Sequence, residues 1–291
     1  MSQRLLGIFQ SILSGLCFGS LGLFGKRLYS HGVRPGELLS LRFVLASLLL
    51  FGFLLIRGKP RLRLSLSQLL TCALLGVAGY ALFSFCFFTA LTGLSSSLTV
   101  LLLFTYPVGV ALGARVFFGE QIPRDKMWAL PLALVGLLAL VWGEMAVYRA
   151  EALVFGVAAA VFYALYILVS SRFLRGVHPL VSTATIQAFA GLTLSILSLR
   201  SPGRAWDIFL ADPFAVLMIS IVGTVLAMSL FLAGLQKLKS WEVSLLTTSE
   251  PASTVGLAAL FLGERMTALQ WGGALCVVLS LVWIARPSFR A

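Results

Sequence analysis

The segment from Thr247 to Pro251 places polar side chains and a proline inside residues 240–262, a stretch that is otherwise apolar. Its Glu250 carries a carboxyl group at a depth where hydrocarbon would surround it. An ionisable side chain there costs about 2.5–3.5 kcal/mol or more unless it is paired or wetted, so it marks a functional site by default. Glu250 could bind a proton that is coupled to transport, or pair with a substrate amine. The alternative is a structural clasp to a Tyr or Arg.

Two prolines predict kinks in the middle of helices. Pro107 clashes with the carbonyl of Leu103, and Pro251 with that of Thr247, four residues back. The freed carbonyls, with Thr248 beside one of them, could line a wet cavity. They could equally be satisfied by neighbouring hydroxyls in a packing kink.

Arg42 lies about six residues into its apolar stretch, which corresponds to about 9 Å along a helix. It could reach outward to the membrane interface, or face a cavity and bind a carboxylate or phosphate bidentately. The sequence leaves both readings open.

Aromatic and small polar residues supply further candidates for a cavity wall, although packed helices also use such residues to bond one another. Trp142 and Trp241 are expected at the membrane surface. The candidates inside spans are Tyr80, Tyr106, Tyr163, Ser84, Thr99 and Gln187.

The composition requires elements that cross a membrane. Hydrophobic residues make up 59% of the 291 positions, charged residues 11%, and the mean hydropathy is +1.01. The apolar stretches are continuous, which predicts an all-α membrane protein and not a barrel. We predict ten spans, at 5–28, 36–56, 67–91, 95–118, 126–143, 151–173, 180–199, 212–235, 240–262 and 268–285.

The basic residues predict the orientation. With the N-terminus inside, Lys and Arg outside the spans are twice as frequent on the inner side, so both termini are expected in the cytoplasm. The cluster Arg57, Lys59, Arg61 and Arg63 then reads as a topology determinant. The net charge of +12 needs no nucleic-acid partner.

The chain repeats itself. A shift of 144 residues superposes Pro107 on Pro251, Gly79 on Gly223, and Gly119-Glu120 on Gly263-Glu264. Five spans per repeat force the second half, residues 146–291, to enter the membrane opposite to the first half, residues 1–145. Such inverted repeats are typical of secondary transporters, which bind substrate near the midplane.

The paired prolines, Leu41-Arg42-Phe43, and the endings Phe117-Phe118-Gly119-Glu120 and Phe261-Leu262-Gly263-Glu264 resemble the EamA-like ten-helix branch of the drug/metabolite transporter superfamily. The resemblance covers essentially the whole chain. It implies transport of small metabolites, commonly amino acids, through a central cavity, in a cell membrane and for bacteria the inner membrane. Substrate, direction and oligomeric state stay open, and a monomer is compatible with the sequence.

Other function classes lack their motifs. No GxxxxGK[ST] phosphate loop is present for an ATP-driven pump, and no HExxH or GxSxG for an enzyme. The four cysteines lie in spans without CxxC spacing, so we expect no metal and no cofactor. We predict a non-enzymatic secondary transporter whose partners are a small solute, the bilayer and, if coupled, protons. A channel-like pore or a membrane scaffold is the alternative.

Overall fold

The computed structural model describes residues 2–57, 64–143, 145–198, 202–262 and 265–287. Five residues of the predicted basic cluster and of the repeated Gly-Glu ending lie outside these ranges: Lys59, Arg61, Arg63, Gly263 and Glu264.

The described part of the chain is helical, with one isolated bridge between Leu94 and Val147 and no longer strand. Two of the helices contain a π-helical segment, at Leu75–Ala81 and Ile221–Leu226. In chain order the helices are α1 (Gln3–Ser30), α2 (Pro35–Arg57), α3 (Leu66–Leu91), α4 (Ser96–Phe118), α5 (Ala129–Leu140), α6 (Glu151–Phe173), α7 (Pro179–Ser198), α8 (Pro202–Ala211), α9 (Pro213–Leu235), α10 (Ser240–Leu246), α11 (Ser249–Leu262) and α12 (Ala268–Ala285).

By length and composition, eight helices of the described part can cross a membrane: α1, α2, α3, α4, α6, α7, α9 and α12. Each begins and ends within two residues of its predicted span. The predicted fifth span is a helix of only 12 residues, and the ninth is divided into α10 and α11. The prediction of an all-helical membrane protein is therefore confirmed. The predicted number of crossings is not reached by this criterion.

The helices are interrupted close to the two prolines. In α4 the helical pattern breaks at residues 104–105, just before Pro107, and residues 247–248 separate α10 from α11 just before Pro251. Thr105 spans its break by donating from Oγ1 to the Leu102 carbonyl at 2.7 Å. Both breaks therefore lie about midway along apolar stretches, with hydroxyl side chains beside the loosened backbone.

Small residues lie where helices touch. The main pairs are α2 with α7, α5 with α12, α1 with α11, α1 with α9, α4 with α6 and α3 with α6. Between α1 and α11, hydroxyls donate to backbone carbonyls across the interface: Ser249 to Ile12 at 3.1 Å and Ser253 to Leu16 at 3.1 Å. Gly15 and Gly19 of α1 face these hydroxyls. Such contacts replace the hydrophobic drive that is absent between helices in lipid.

The short helix α8, which the sequence analysis did not predict, packs over the end of the bundle that carries the α1 C-terminus. Its Ile208 is buried, whereas Trp206 is 62% exposed. Arg204 bonds the Glu37 carboxylate at 3.3 Å. This amphipathic pattern is typical of a helix that lies in the membrane interface.

Asp212 should stabilise the protein in a pH-dependent way. It caps α9 by accepting from the Ala215 amide at 3.0 Å and pairs with Arg27. Burial opposes its ionisation, but these partners prevail and hold its pKa below the ordinary value of 3.8. A depressed folded-state pKa gives stability above that ordinary value, which is lost as pH falls through the folded-state pKa. When the pH is lowered below about 4, we expect the thermal midpoint of wild type to decrease more than that of Asp212→Asn. The asparagine keeps a capping side chain but has no carboxylate to protonate.

The matched control is Asp207→Asn, because Asp207 is exposed on α8. Its midpoint should follow wild type at every pH. Equal acid sensitivity of Asp212→Asn and wild type would contradict the role given to Asp212.

Candidate substrate-binding site

Aromatic rings from several helices meet in the interior. Tyr80 of α3 contacts Phe43 of α2 at 5.2 Å and Tyr166 of α6 at 5.3 Å between ring centroids. Tyr163 of α6 contacts Tyr106 of α4 at 4.7 Å. Edge-to-face contacts of this kind fix ring positions. The predicted candidates Tyr80, Tyr106 and Tyr163 therefore belong to one aromatic cluster, which also includes Phe83 and Phe231.

Tyr106 joins the two helix interruptions. Its hydroxyl lies 3.0 Å from Oγ1 of Thr247 and donates to the Ser244 carbonyl at 3.3 Å. Thr247 stands at the end of α10, and Tyr106 begins the second part of α4. The 144-residue shift superposes Tyr106 on Glu250, and Tyr106 thus bonds to Thr247, three residues before Glu250.

Arg42 is buried among the helices. It is only 8% exposed, and its guanidinium carbon lies 4.5 Å from the centroid of the Phe43 ring. Its Nε has no hydrogen-bond partner, and no ion pair to it is found among the described residues. A buried cation without an anion costs several kcal/mol. The burial of Arg42 disfavours the reading in which it reaches outward to the membrane interface, and its binding of a ligand stays a prediction.

Glu250 lies at the start of α11 and is partly accessible. Its carboxylate makes no hydrogen bond or ion pair with any residue that the structure describes, which disfavours the structural clasp. Glu250 follows Thr247 by three residues, and Oγ1 of Thr247 lies 3.0 Å from the Tyr106 hydroxyl, so Glu250 lies close to the aromatic cluster. A guanidinium and a carboxyl group thus lie near the same cluster without being bonded to each other.

The remaining predicted residues have local partners or none. Ser84 is buried one helical turn after Tyr80. Thr99 donates to the Ser95 carbonyl at 3.0 Å and Thr248 to that of Leu245 at 2.7 Å, each to a residue three or four positions earlier in the chain. Gln187 donates to the Thr224 carbonyl at 3.4 Å and so joins α7 to the π-helical segment of α9. Their contribution to a cavity stays a prediction.

Some features of this region were missed or misjudged from the sequence. The sequence does not single out Phe43 and Phe231, because nothing in an apolar span marks which ring faces inward. Tyr166 is 2% exposed and central to the cluster. The one sequence feature that indicates it is its hydroxyl group, which needs a polar partner inside a span. Trp241, expected at the membrane surface, is packed inside the protein with 2% exposure, whereas Trp142 is 58% exposed.

The chain is similar to known transporters over most of its length. The model of the EamA-like transporter family matches residues 5–142 and 150–286. The threonine/homoserine exporter RhtA of Escherichia coli is 29% identical over 84% of this chain and 79% of its own. A probable amino-acid metabolite efflux pump of Salmonella typhimurium is 26% identical over 86% of this chain and 85% of its own.

A solved crystal structure has the same fold. It matches with a TM-score of 0.78 over 97% of this chain and 96% of its own, at 20% sequence identity. The family model covers most of both halves of the chain and describes transporters, not enzymes. This chain therefore belongs to the EamA-like transporter family.

Proposed function

We propose that this protein is a secondary transporter that exports an amino acid or a closely related small metabolite. The amino-acid class and the outward direction rest on the names of the two relatives. The rest of the proposal rests on the chain's own residues.

The observation that carries the proposal is the presence of two unpaired charges in one aromatic-walled interior. Arg42 is buried and Glu250 is partly accessible, and neither forms an ion pair with any residue that the structure describes. An amino acid brings a carboxylate for the first and an ammonium group for the second. Its body would lie against the rings of Tyr80, Tyr106 and Tyr163. The bound zwitterion would thus supply the partner that each charge lacks.

Alternating access would use two inverted five-helix halves, residues 1–145 and 146–291, with ten spans in all. The repeat relates α1 to α6, α2 to α7, α3 to α9, α4 to α10 with α11, and α5 to α12. Under this relation the contact of α1 with α11 corresponds to the contact of α6 with α4. The contact of α1 with α9 likewise corresponds to that of α6 with α3. All four contacts occur in the structure. The packing therefore supports the inverted repeat.

Local geometry supports it too. The π-helical segments contain Gly79 and Gly223, which are 144 residues apart. A Cβ at Gly79 would meet Tyr166 of α6, and one at Gly223 would meet Leu21 of α1, the helix that the repeat relates to α6. Wider turns at matching places give each half a point about which its third helix can bend.

Both termini are proposed to lie in the cytoplasm. In this orientation the cytoplasmic ends of the helices carry most of the basic residues that the structure describes, including Arg4, Lys126, Arg175 and Lys237. We call this end of the bundle the basic end.

The test is flux through purified protein in liposomes, with a panel of amino acids including threonine and homoserine. We expect saturable uptake that speeds up when unlabelled substrate is present on the other side. Accumulation driven by a pH gradient would add proton coupling, and equal flux without the gradient would favour facilitated diffusion. A current that rises linearly with voltage would indicate a pore instead of a carrier. The absence of flux for every solute would favour a scaffold.

Arg42→Lys should weaken substrate affinity about tenfold, because a lysine cannot hold a carboxylate through two parallel bonds. The measurement is the concentration for half-maximal exchange in liposomes. Arg172→Lys is the control, since Arg172 is exposed at the end of α6. Unchanged affinity in Arg42→Lys would remove the carboxylate-binding role.

A further inference from the structure

A cavity of about 560 Å³ opens at the basic end, away from the aromatic cluster. It lies between the start of α1, the turn after α6 and the turn between α9 and α10. The charged and amide residues of its lining are Arg4, Arg175, Gln236, Lys237, Lys239 and Glu242.

The lining has a surplus of positive charge. Its one carboxylate, Glu242, already accepts from Arg4 at 2.5 Å and from the Lys239 amide at 3.1 Å. The Lys237 ammonium donates to the Ala233 carbonyl near the end of α9, and Arg175 donates through Nε to the Ser171 carbonyl of α6. Among the described residues, Arg175, Lys237 and Lys239 have no acidic partner, so the cavity is suited to an anion.

The walls of this cavity are tied together. Gln236, at the end of α9, donates from Nε2 to the carbonyls of Val177 and Leu174 in the turn after α6. That turn passes through Gly176 at a φ of 84°, which a side chain would disfavour. The cations are therefore presented by a connected frame, which lowers the entropic cost of binding.

Residues close in sequence to the cavity lining carry exposed apolar side chains. Leu5, adjacent to Arg4, is 52% exposed, and Phe173, two residues before Arg175, is 59% exposed. Such residues face lipid chains in a membrane protein. A molecule with an anionic head and apolar tails would match both the cavity and its surroundings, whereas a small soluble anion would use only the cavity.

We propose that this cavity binds a phosphate group, and that the group is the headgroup of an anionic phospholipid. Basic pockets at helix ends on the cytoplasmic side suit such headgroups, and Arg can hold a phosphate through two bonds. Lys237 and Lys239 would add charge from the facing turn. The site is separate from the residues assigned to substrate.

The test compares purified wild type with the double variant Arg175→Gln, Lys237→Gln in detergent. Thermal midpoints are recorded against dioleoylphosphatidylglycerol, dioleoylphosphatidylcholine and inorganic phosphate. Phosphatidylglycerol should raise the midpoint of wild type more than phosphatidylcholine does. Its apparent dissociation constant should rise about 25-fold in the double variant, since each basic residue contributes a factor of about five.

Arg172→Gln is the matched control, because Arg172 lies one turn before Arg175 and does not line the cavity. It should bind phosphatidylglycerol as wild type does. Equal responses of wild type and the double variant to phosphatidylglycerol would overturn the proposal. Stabilisation by inorganic phosphate alone, lost in the double variant, would overturn the lipid as the source. Because lipid binding is read without flux, neither result depends on the transport assignment.

Discussion

Replacing Glu250 with glutamine should weaken substrate affinity about 10- to 100-fold, because a bond between a carboxylate and an ammonium group contributes about 1.5–3 kcal/mol. Glutamine keeps the shape and a hydrogen-bond acceptor but lacks the charge. The carboxylate of Glu250 has no partner among the described residues, so its loss should leave the fold intact. The measurement is substrate exchange in liposomes at equal pH on both sides, with the half-saturating concentration as the readout.

The same variant separates the two roles considered for Glu250. If the carboxylate pairs with a substrate amine, both equal-pH exchange and gradient-driven accumulation fall. If it only carries a coupled proton, accumulation driven by a pH gradient is lost while exchange persists. Glu151→Gln is the control, since the Glu151 side chain is 65% exposed beside Arg149. Wild-type exchange and wild-type accumulation together would contradict both roles.

The sequence predicts the helices well because hydrocarbon imposes a length and an apolar composition on each crossing. The same requirement makes a helix-breaking residue inside an apolar stretch easy to recognise. Pro107 and Pro251 stand out in apolar stretches, and the interruptions at 104–105 and 247–248 lie just before them. Gly79 and Gly223 likewise match under the repeat, although the π-helical turns around them leave no mark in the sequence.

The candidate site could be predicted only through its polar members. Glu250, Arg42 and the tyrosines are conspicuous in a span, but Phe43 and Phe231 are not, because lipid and protein neighbours favour the same ring. In a membrane, apolar periodicity no longer tells the inward face from the outward one. The buried position of Trp241 has the same cause. Where Arg42 points depends on which helices surround it, and that is a property of the packed bundle.

Replacing Gly273 with alanine should destabilise the protein by about 1–3 kcal/mol, the usual cost of overpacking. Gly273 lies where α12 crosses α5. A Cβ there would stand 2.6 Å from the Gly136 carbonyl oxygen and 2.7 Å from the Leu140 nitrogen. Both atoms belong to the backbone, so no side chain can turn aside and the two helices must separate. The measurement is the thermal midpoint of purified protein in detergent, which should fall.

The adjacent glycine provides the control for this crossing. Gly272 is exposed, and a Cβ on it would meet no neighbouring atom within 4 Å. Gly272→Ala should therefore be neutral or stabilise the helix by up to about 1 kcal/mol through helix propensity. The two variants add the same methyl group to consecutive residues, so a difference between them reports the helix contact alone. Equal midpoints for Gly273→Ala and Gly272→Ala would mean that α5 and α12 do not pack this closely in the membrane protein.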